Sequence, residues 1–211
     1  MFTATRISGS GGEDAAMRAM FAARTEVFVD LLGWQLPILA GKFELDQFDN
    51  TDARYLVLLD ADGRHRASAR LLRTDRPHLL DTVFPDLCGD VLPTGSTTLE
   101  ITRFCLDRRQ CARDRRLVRN QLVSALVDYA LAHGIEAYTG VAEQAWLDQV
   151  MTFGWDCCTL APARENGGRM LSALRITIDE ETVGKLRKSG IYAPACSVLA
   201  PIAPFTTEMD S

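Results

Sequence analysis

The chain has 211 residues, 47% hydrophobic and 24% charged, with 23 Lys and Arg against 28 Asp and Glu for a formal net charge of −5. This is the size and balance of one substantial globular domain over residues 1–211, and it excludes collagenous, disordered and broadly basic nucleic-acid-binding chains. A surface that attracts an acidic partner must therefore be local.

The N-terminal MFTATRISGSGGEDAAMRAM lacks the order of a secretory leader, and no uncharged apolar run is long enough to span a bilayer. Cys88, Cys105, Cys111, Cys157, Cys158 and Cys196 have no CxxC spacing and are expected to be reduced thiols in a cytoplasmic protein. His65, His78 and His133 are too scattered to complete a zinc site, so no metal is expected.

In chain order, Glu13 to Leu32 carries Met17, Met20, Phe21, Val27, Phe28 and Leu31 near helical spacing and is predicted to be a helix ending at Gly33. GWQLPILAGKFELDQFDN, with Pro37 and Gly41, has no regular period and reads as a long loop. Ala53 to Leu59 and His65 to Leu72 flank an Asp62-Gly63 turn signal and are predicted to pair antiparallel. A third strand is expected at Thr98 to Leu106. A helix follows from Leu117 to His133, its apolar positions Leu117, Leu122, Val123, Leu126 and Leu131, with Gly134 as its stop. A strand at Ile135 to Val141, a helix from about Glu143 to Phe153 and a strand at Arg169 to Ile178 complete the pattern, and the tail from about residue 190 reads as irregular. Hairpin, helix, strand, helix, strand implies an α/β fold with a mixed sheet and helices on its faces.

Three sets of residues are candidates for chemistry. Arg24 and Phe28 lie four apart on one helix, followed by Trp34, Asp46, Phe48 and Asp49 in the loop; they form either a polar pocket with an aromatic floor or core aromatics beside a solvated acidic loop. Arg70, Glu100 and Arg103 sit within otherwise apolar strands, where a charge must be paired, as an internal ion pair or as a catalytic group. By simple alternation Glu100 and Arg103 face opposite ways, so a bulge or strand end is needed to bring them together. Arg108, Arg109, Arg113, Arg115, Arg116 and Arg119 form the strongest local charge run, suited to phosphate or an acidic protein, or simply a solvated face. No Ser-His-Asp order, GxSxG elbow, Walker loop or GxGxxG is present.

In order, R24…F28…LGW (32–34)…ELDQFDN (44–50)…ARYL (53–56)…ARLLRT (69–74)…F84…LEITRF (99–104) resembles the acyl-homoserine-lactone synthases, the bacterial autoinducer synthases. The resemblance is specific over about residues 20–106 and looser to about 160, where FGW at 153–155 fits. It implies a three-layer α/β/α sandwich of the acyl-CoA N-acyltransferase kind, its mixed, mostly antiparallel sheet opening into a V-shaped cleft for the phosphopantetheine arm. It also implies acyl transfer from acyl carrier protein, or less often coenzyme A, to the amine of S-adenosylmethionine. Lactonisation then releases N-acyl-homoserine lactone and 5′-methylthioadenosine. S-adenosylmethionine enters as substrate and no cofactor is expected.

On this resemblance Glu100 is the expected general base, acting through a water. Arg24, Phe28, Trp34 and Arg103 are expected to hold S-adenosylmethionine, Asp46, Asp49 and Arg70 to shape its pocket, and Phe84, Gly140 and Ala142 to line the acyl pocket. The arginines from Arg108 to Arg119 are expected to dock the carrier protein. The sequence departs from the family at YTGVAEQ, with Gly140 and Ala142 near the position of a threonine associated with 3-oxo chains, which points to an acyl chain without a 3-oxo group. It departs again at Arg73, a frequent proline. The rival readings are an acyl-CoA-dependent N-acetyltransferase, disfavoured because Arg108 to Arg119 offers no glycine-rich pyrophosphate turn, and a ligand-binding sensor, which lacks any output module.

Overall fold

A computed structural model describes residues 10–89, 92–195 and 198–202. Among the described residues two units emerge, one from residues 10–70, 103–122, 195 and 198–202, the other from residues 71–89, 92–102 and 123–194.

In the first unit α1 (Ser10–Arg24) buries Ala16, Met17, Met20, Phe21, Ala23 and Arg24, one stripe at helical spacing. The predicted single helix then changes pitch: Thr25–Leu31 is a π-helical segment. Thr25 Oγ1 donates to the carbonyl of Lys42 at 2.9 Å and lies 3.2 Å from that of Phe21. Gly33, at φ +69°, closes the segment with a backbone bond to Val29, a conformation that suits glycine.

The long loop is more ordered than its composition suggests. Strands β1 (Ile38–Leu39) and β2 (Phe43–Glu44) form a small antiparallel hairpin around Gly41, and this register seats Glu44. Strands β3 (Arg54–Leu59) and β4 (His65–Arg73) are joined by the expected turn, in which Asp60 Oδ1 accepts the N–H groups of Asp62 and Arg64. Part of the tail expected to be irregular forms β10 (Val198–Ile202), which pairs antiparallel with β3. With a strand on each side, β3 buries Tyr55, Leu56, Val57 and Leu58 in succession instead of alternating.

In the second unit the strand order is β5 (Thr98–Leu106), β6 (Ala137–Glu143), β9 (Arg169–Thr177), β7 (Asp156–Thr159), with β8 (Arg164–Asn166) also on β9. Strands β5 and β6 are parallel because α3 (Ala112–His133) is the crossover between them; β9 then runs antiparallel to β6. The β5–β6 ladder ends at Ile101 and Gly140, although β5 continues to Leu106 and β6 to Glu143. A Cβ on Gly140 would stand 3.0 Å from the carbonyl oxygen of Ile101, so glycine permits the close approach there.

The α3 stripe keeps the expected Leu122, Val123 and Leu126 but not its two end positions. Leu117 and Leu131 are exposed, while Val118, Leu122, Ala125, Leu126 and Ala130 are buried. Helices α2 (Leu79–Thr82), α4 (Gln144–Met151) and α5 (Thr182–Lys188) complete the set, with a 3₁₀ turn at Pro85–Leu87; α2 and α5 lack sustained apolar periodicity and escaped the sequence reading. The mixed sheet with helices matches the expected α/β class. No helix among the described residues is long and apolar enough to cross a membrane. Cys88, Cys105, Cys111, Cys157 and Cys158 are free thiols; Cys196 lies outside the described residues.

His65, at the start of β4, is buried, with Nε2 2.9 Å from Ser68 Oγ and no protein partner for Nδ1. Burial, helped by the charge of Arg109 and opposed by Asp107, pushes its pKa down from 6.5 to about 4. Between these values the unfolded chain binds the extra proton, so this contribution is complete above about pH 6.5 and declines as pH falls toward 4. The expected loss between pH 7 and pH 5 is about 2 kcal/mol. Urea unfolding at the two pH values checks this, and a His65→Gln variant with the same pH slope would refute it.

Candidate active site

The first unit holds a buried network of three carboxylates and three guanidinium groups. Arg24, at the end of α1, donates from Nε to Glu44 Oε2 at 2.5 Å and through both terminal nitrogens to Asp49 at 2.8 Å. Arg70, on β4, forks onto Asp46 at 2.6 and 3.1 Å, with its NH1 also 2.9 Å from Asp49. Arg103, on β5, binds Glu44 through Nε and NH2 at 3.0–3.3 Å and Asp46 at 2.7 Å. Tyr55, on β3, donates its hydroxyl to Asp49 at 2.7 Å.

Local sequence explains how the acids are presented. The β1–β2 hairpin fixes Glu44, and a tight turn follows over Asp46–Asp49. In that turn the Asp46 N–H donates to Asp49, the Phe48 N–H to Asp46, and the Asp49 N–H to the carbonyl of Asp46. Arg103 reaches the same cluster because its backbone is left-handed, at φ +48° within a strand. That strained conformation is the irregularity that simple alternation along LEITRF requires if Arg103 is to leave the regular pleat.

Burial alone would push the Arg24 guanidinium down, but the hydrogen bonds and charges of Asp49 and Glu44 raise it instead. Burial would likewise raise Asp49, yet Arg24 and then Arg70 hold it well below the usual carboxylate range. Burial and the Asp49 carboxylate push the Tyr55 hydroxyl far up, so it stays a donor. The carboxylate oxygens of Glu44, Asp46 and Asp49 lie within 4.8 Å of one another, a spacing that suits a cation. Three guanidinium groups already meet those three negative charges.

Phe28 and Trp34 stack with centroids 4.9 Å apart at 22°, and the Arg103 guanidinium lies 5.6 Å from the Phe28 ring. The left-handed turn at Gly33 folds the chain back past the π segment, and the Trp34 N–H donates to the carbonyl of Phe28 at 2.8 Å. The aromatic pair, the charged network and Phe48, above which Arg70 lies at 5.7 Å, thus belong to one unit. Arg24, grouped from sequence with the ligand-holding residues, is 1% exposed and directs all three of its nitrogens to acids, so it belongs geometrically with Asp46, Asp49 and Arg70. Glu44, at the centre of the network, was not singled out. Its position two residues before Asp46 in ELDQFD was the available signal.

Glu100, in the second unit, is fully buried and accepts the N–H groups of Leu79 at 2.7 Å and Leu80 at 2.9 Å, the first two residues of α2. Register places Thr139 of β6 and Arg175 of β9 on the same sheet face as Glu100. Phe84, Val141, Leu160 and Leu171 pack against a buried cluster of Leu80, Leu87, Cys88 and Ala173. Phe84 is therefore part of an apolar cluster. Gly140 and Ala142 alternate with Thr139 and Val141 and face the other side of β6, so the residue the cluster takes from this strand is Val141.

Of the basic run, Arg108, Arg109, Arg113 and Arg116 are exposed and Arg115 and Arg119 half-buried. Arg109 is paired with Asp107 at 3.0 Å, and Arg119 donates to Asn120. Burial, and after it the like charge of Arg116, push the Arg119 guanidinium down.

The autoinducer synthase family model matches residues 10–186. The acyl-homoserine-lactone synthase of Ralstonia nicotianae is 37% identical over 189 residues, covering 86% of this chain and 92% of that protein. Among solved structures, the CoA-dependent acyl-homoserine lactone synthase BjaI, with SAM and isopentyl-CoA, superposes with a TM-score of 0.74 at 26% identity, covering 84% of this chain and 83% of the other. TofI, in a ternary complex with an inhibitor and MTA, gives 0.71 at 31% identity, covering 85% and 91%. With a buried acid–arginine network built from the residues that carried the resemblance, and a family match over most of its length, the chain belongs to the autoinducer synthases, the acyl-homoserine-lactone synthase family of acyltransferases.

Proposed function

We propose that this chain binds S-adenosylmethionine as a substrate, with no cofactor, acylates its amine from an acyl thioester and releases an N-acyl-homoserine lactone with 5′-methylthioadenosine. The observation that carries this reading is the stacked Phe28–Trp34 pair beside the Glu44–Asp46–Asp49 network. Aromatic faces attract a sulfonium and stack an adenine, and a rigid set of paired charges orients a zwitterionic amino acid without reorganising. BjaI, of the same fold, is described with SAM and isopentyl-CoA, and TofI with MTA.

An α-amino group titrates near about 8, so the attacking nitrogen must lose a proton before it adds to the thioester carbonyl. Glu100 is the base in this reading, taking that proton through a water; the amine forms the amide and the donor thiol leaves. In the second step the substrate carboxylate displaces methylthioadenosine from the carbon next to the sulfonium, which needs chiefly proximity. The Phe84 cluster receives the acyl chain.

The basic segment from Arg108 to Arg119 supports an acidic carrier protein as donor over free coenzyme A, because a cluster of exposed guanidinium groups accelerates and orients encounter with an acidic surface. The test is methylthioadenosine release with acyl-carrier-protein and acyl-CoA thioesters, with lactone identified by mass spectrometry. Arg113→Glu with Arg116→Glu is expected to raise KM for the carrier-protein donor at least about tenfold, lowest salt giving the largest effect, with kcat retained. Equal KM values for wild type and variant exclude docking on this segment. Thioester cleavage without methylthioadenosine excludes the synthase reading itself.

A further inference from the structure

We propose that His78 is a positioning residue for Glu100, acting through the first turn of α2; the inference rests on the reading of Glu100 as the base. A four-residue helix does not sustain itself, so the direction of its first N–H groups depends on what fixes its entry. His78 is that entry. Its backbone is extended, at φ −137° and ψ −176°, and its N–H donates to Asp81 Oδ1 at 2.7 Å. Its carbonyl accepts both the N–H and the hydroxyl of Thr82.

The imidazole is 1% exposed, and its Nδ1 lies 2.8 Å from the carbonyl oxygen of Arg76. A carbonyl only accepts, so this contact takes the tautomer with the hydrogen on Nδ1. Nε2 is buried with no protein partner among the described residues. The next two residues, Leu79 and Leu80, give their N–H groups to the two oxygens of Glu100. The ring thus braces the peptide bonds that aim the carboxylate and stabilise its charged form. The other titratable or charged groups facing this set are Asp81 of α2, whose Oδ1 is 3.4 Å from Nδ1, and Cys88, whose thiol is raised by burial and by Glu100. Arg175 shares the sheet face two strands away.

His78→Phe fills the site but cannot bond Arg76, whereas His78→Asn keeps a side chain able to cap a first turn. His78→Phe is expected to lower kcat at least about tenfold, to leave KM for S-adenosylmethionine within about twofold, and to move the acid limb of the kcat/KM pH profile upward. The upward move follows because a carboxylate that loses well-aimed N–H donors binds its proton more tightly. His78→Asn is expected to recover most of kcat and the original limb. His78→Ala takes the same readout should His78→Phe not fold. Folded His78→Phe or His78→Ala with wild-type kcat and an unmoved limb overturns the inference, as does a loss of kcat that thermal stability alone tracks and that leaves the limb in place. A fully active Glu100→Gln overturns the base reading beneath it, whereas inactive Glu100→Gln beside wild-type His78 variants overturns only the role of His78.

Discussion

Glu100→Gln is expected to reduce kcat for lactone formation by about 10²–10⁴, the range associated with removing a positioned general base. The buried geometry makes the substitution informative. Both carboxylate oxygens accept backbone N–H groups, from Leu79 and Leu80. An amide keeps one acceptor and turns an NH₂ toward the other N–H, so about 1–3 kcal/mol of stability goes with it. That cost and the catalytic loss are separable. Thermal unfolding reports the first, and single-turnover acyl transfer below the melting range reports the second. Glu100→Asp retains the charge on a shorter arm and is expected to fall between the two. Wild-type turnover in folded Glu100→Gln would remove proton abstraction by this residue from the mechanism and leave it as the N-terminal anchor of α2.

The second large effect is on stability. Arg24→Met replaces a guanidinium of similar length by an apolar chain and leaves Glu44 and Asp49 buried with two arginines in place of three. Breaking a buried ion pair from one side typically costs about 3–5 kcal/mol. In the intact protein Arg24 and Arg70 hold the Asp49 pKa well below its ordinary value. Its contribution is therefore present above the unfolded carboxylate pKa of about 3.9 and is lost as pH falls below it. The deficit of Arg24→Met should accordingly hold from neutrality down to about pH 4 and narrow below it. Arg24→Lys restores charge but not the fork onto Asp49, and should recover only part of the loss. Denaturant unfolding of the three proteins at about pH 7 and about pH 3 decides the matter. A uniform deficit at both pH values would show that Arg24 acts by packing against α1 neighbours alone.

The charged network and the His65 effect act in the same direction: both make acid destabilising, but in different windows. His65 contributes between about pH 6.5 and 4, Asp49 only below that. The pH dependence of unfolding can therefore be divided between the two without mutating the site itself.

Much of this molecule is legible in its sequence. The hairpin at Asp62-Gly63, the strand Thr98–Leu106, the α3 crossover and the mixed sheet follow from periodicity and turn chemistry, because those signals are local. Charged residues in apolar strands marked Arg70, Glu100 and Arg103 as special before any contact was known, since a buried charge needs a reason. Sequence order alone also carried the family resemblance.

Tertiary structure decided which charges pair. Arg24, Glu44, Asp49, Arg70 and Arg103 are as many as 79 positions apart along the chain, and no local rule links them. Glu44 is fixed by a hairpin of two-residue strands too short to leave a periodic trace, and Phe28 meets Trp34 through a chain reversal at Gly33 that 3.6-residue spacing does not anticipate. The left-handed backbone at Arg103 and the single turn of α2 at Glu100 arise in the same way. Each is locally unfavourable or marginal and persists only because distant partners satisfy it.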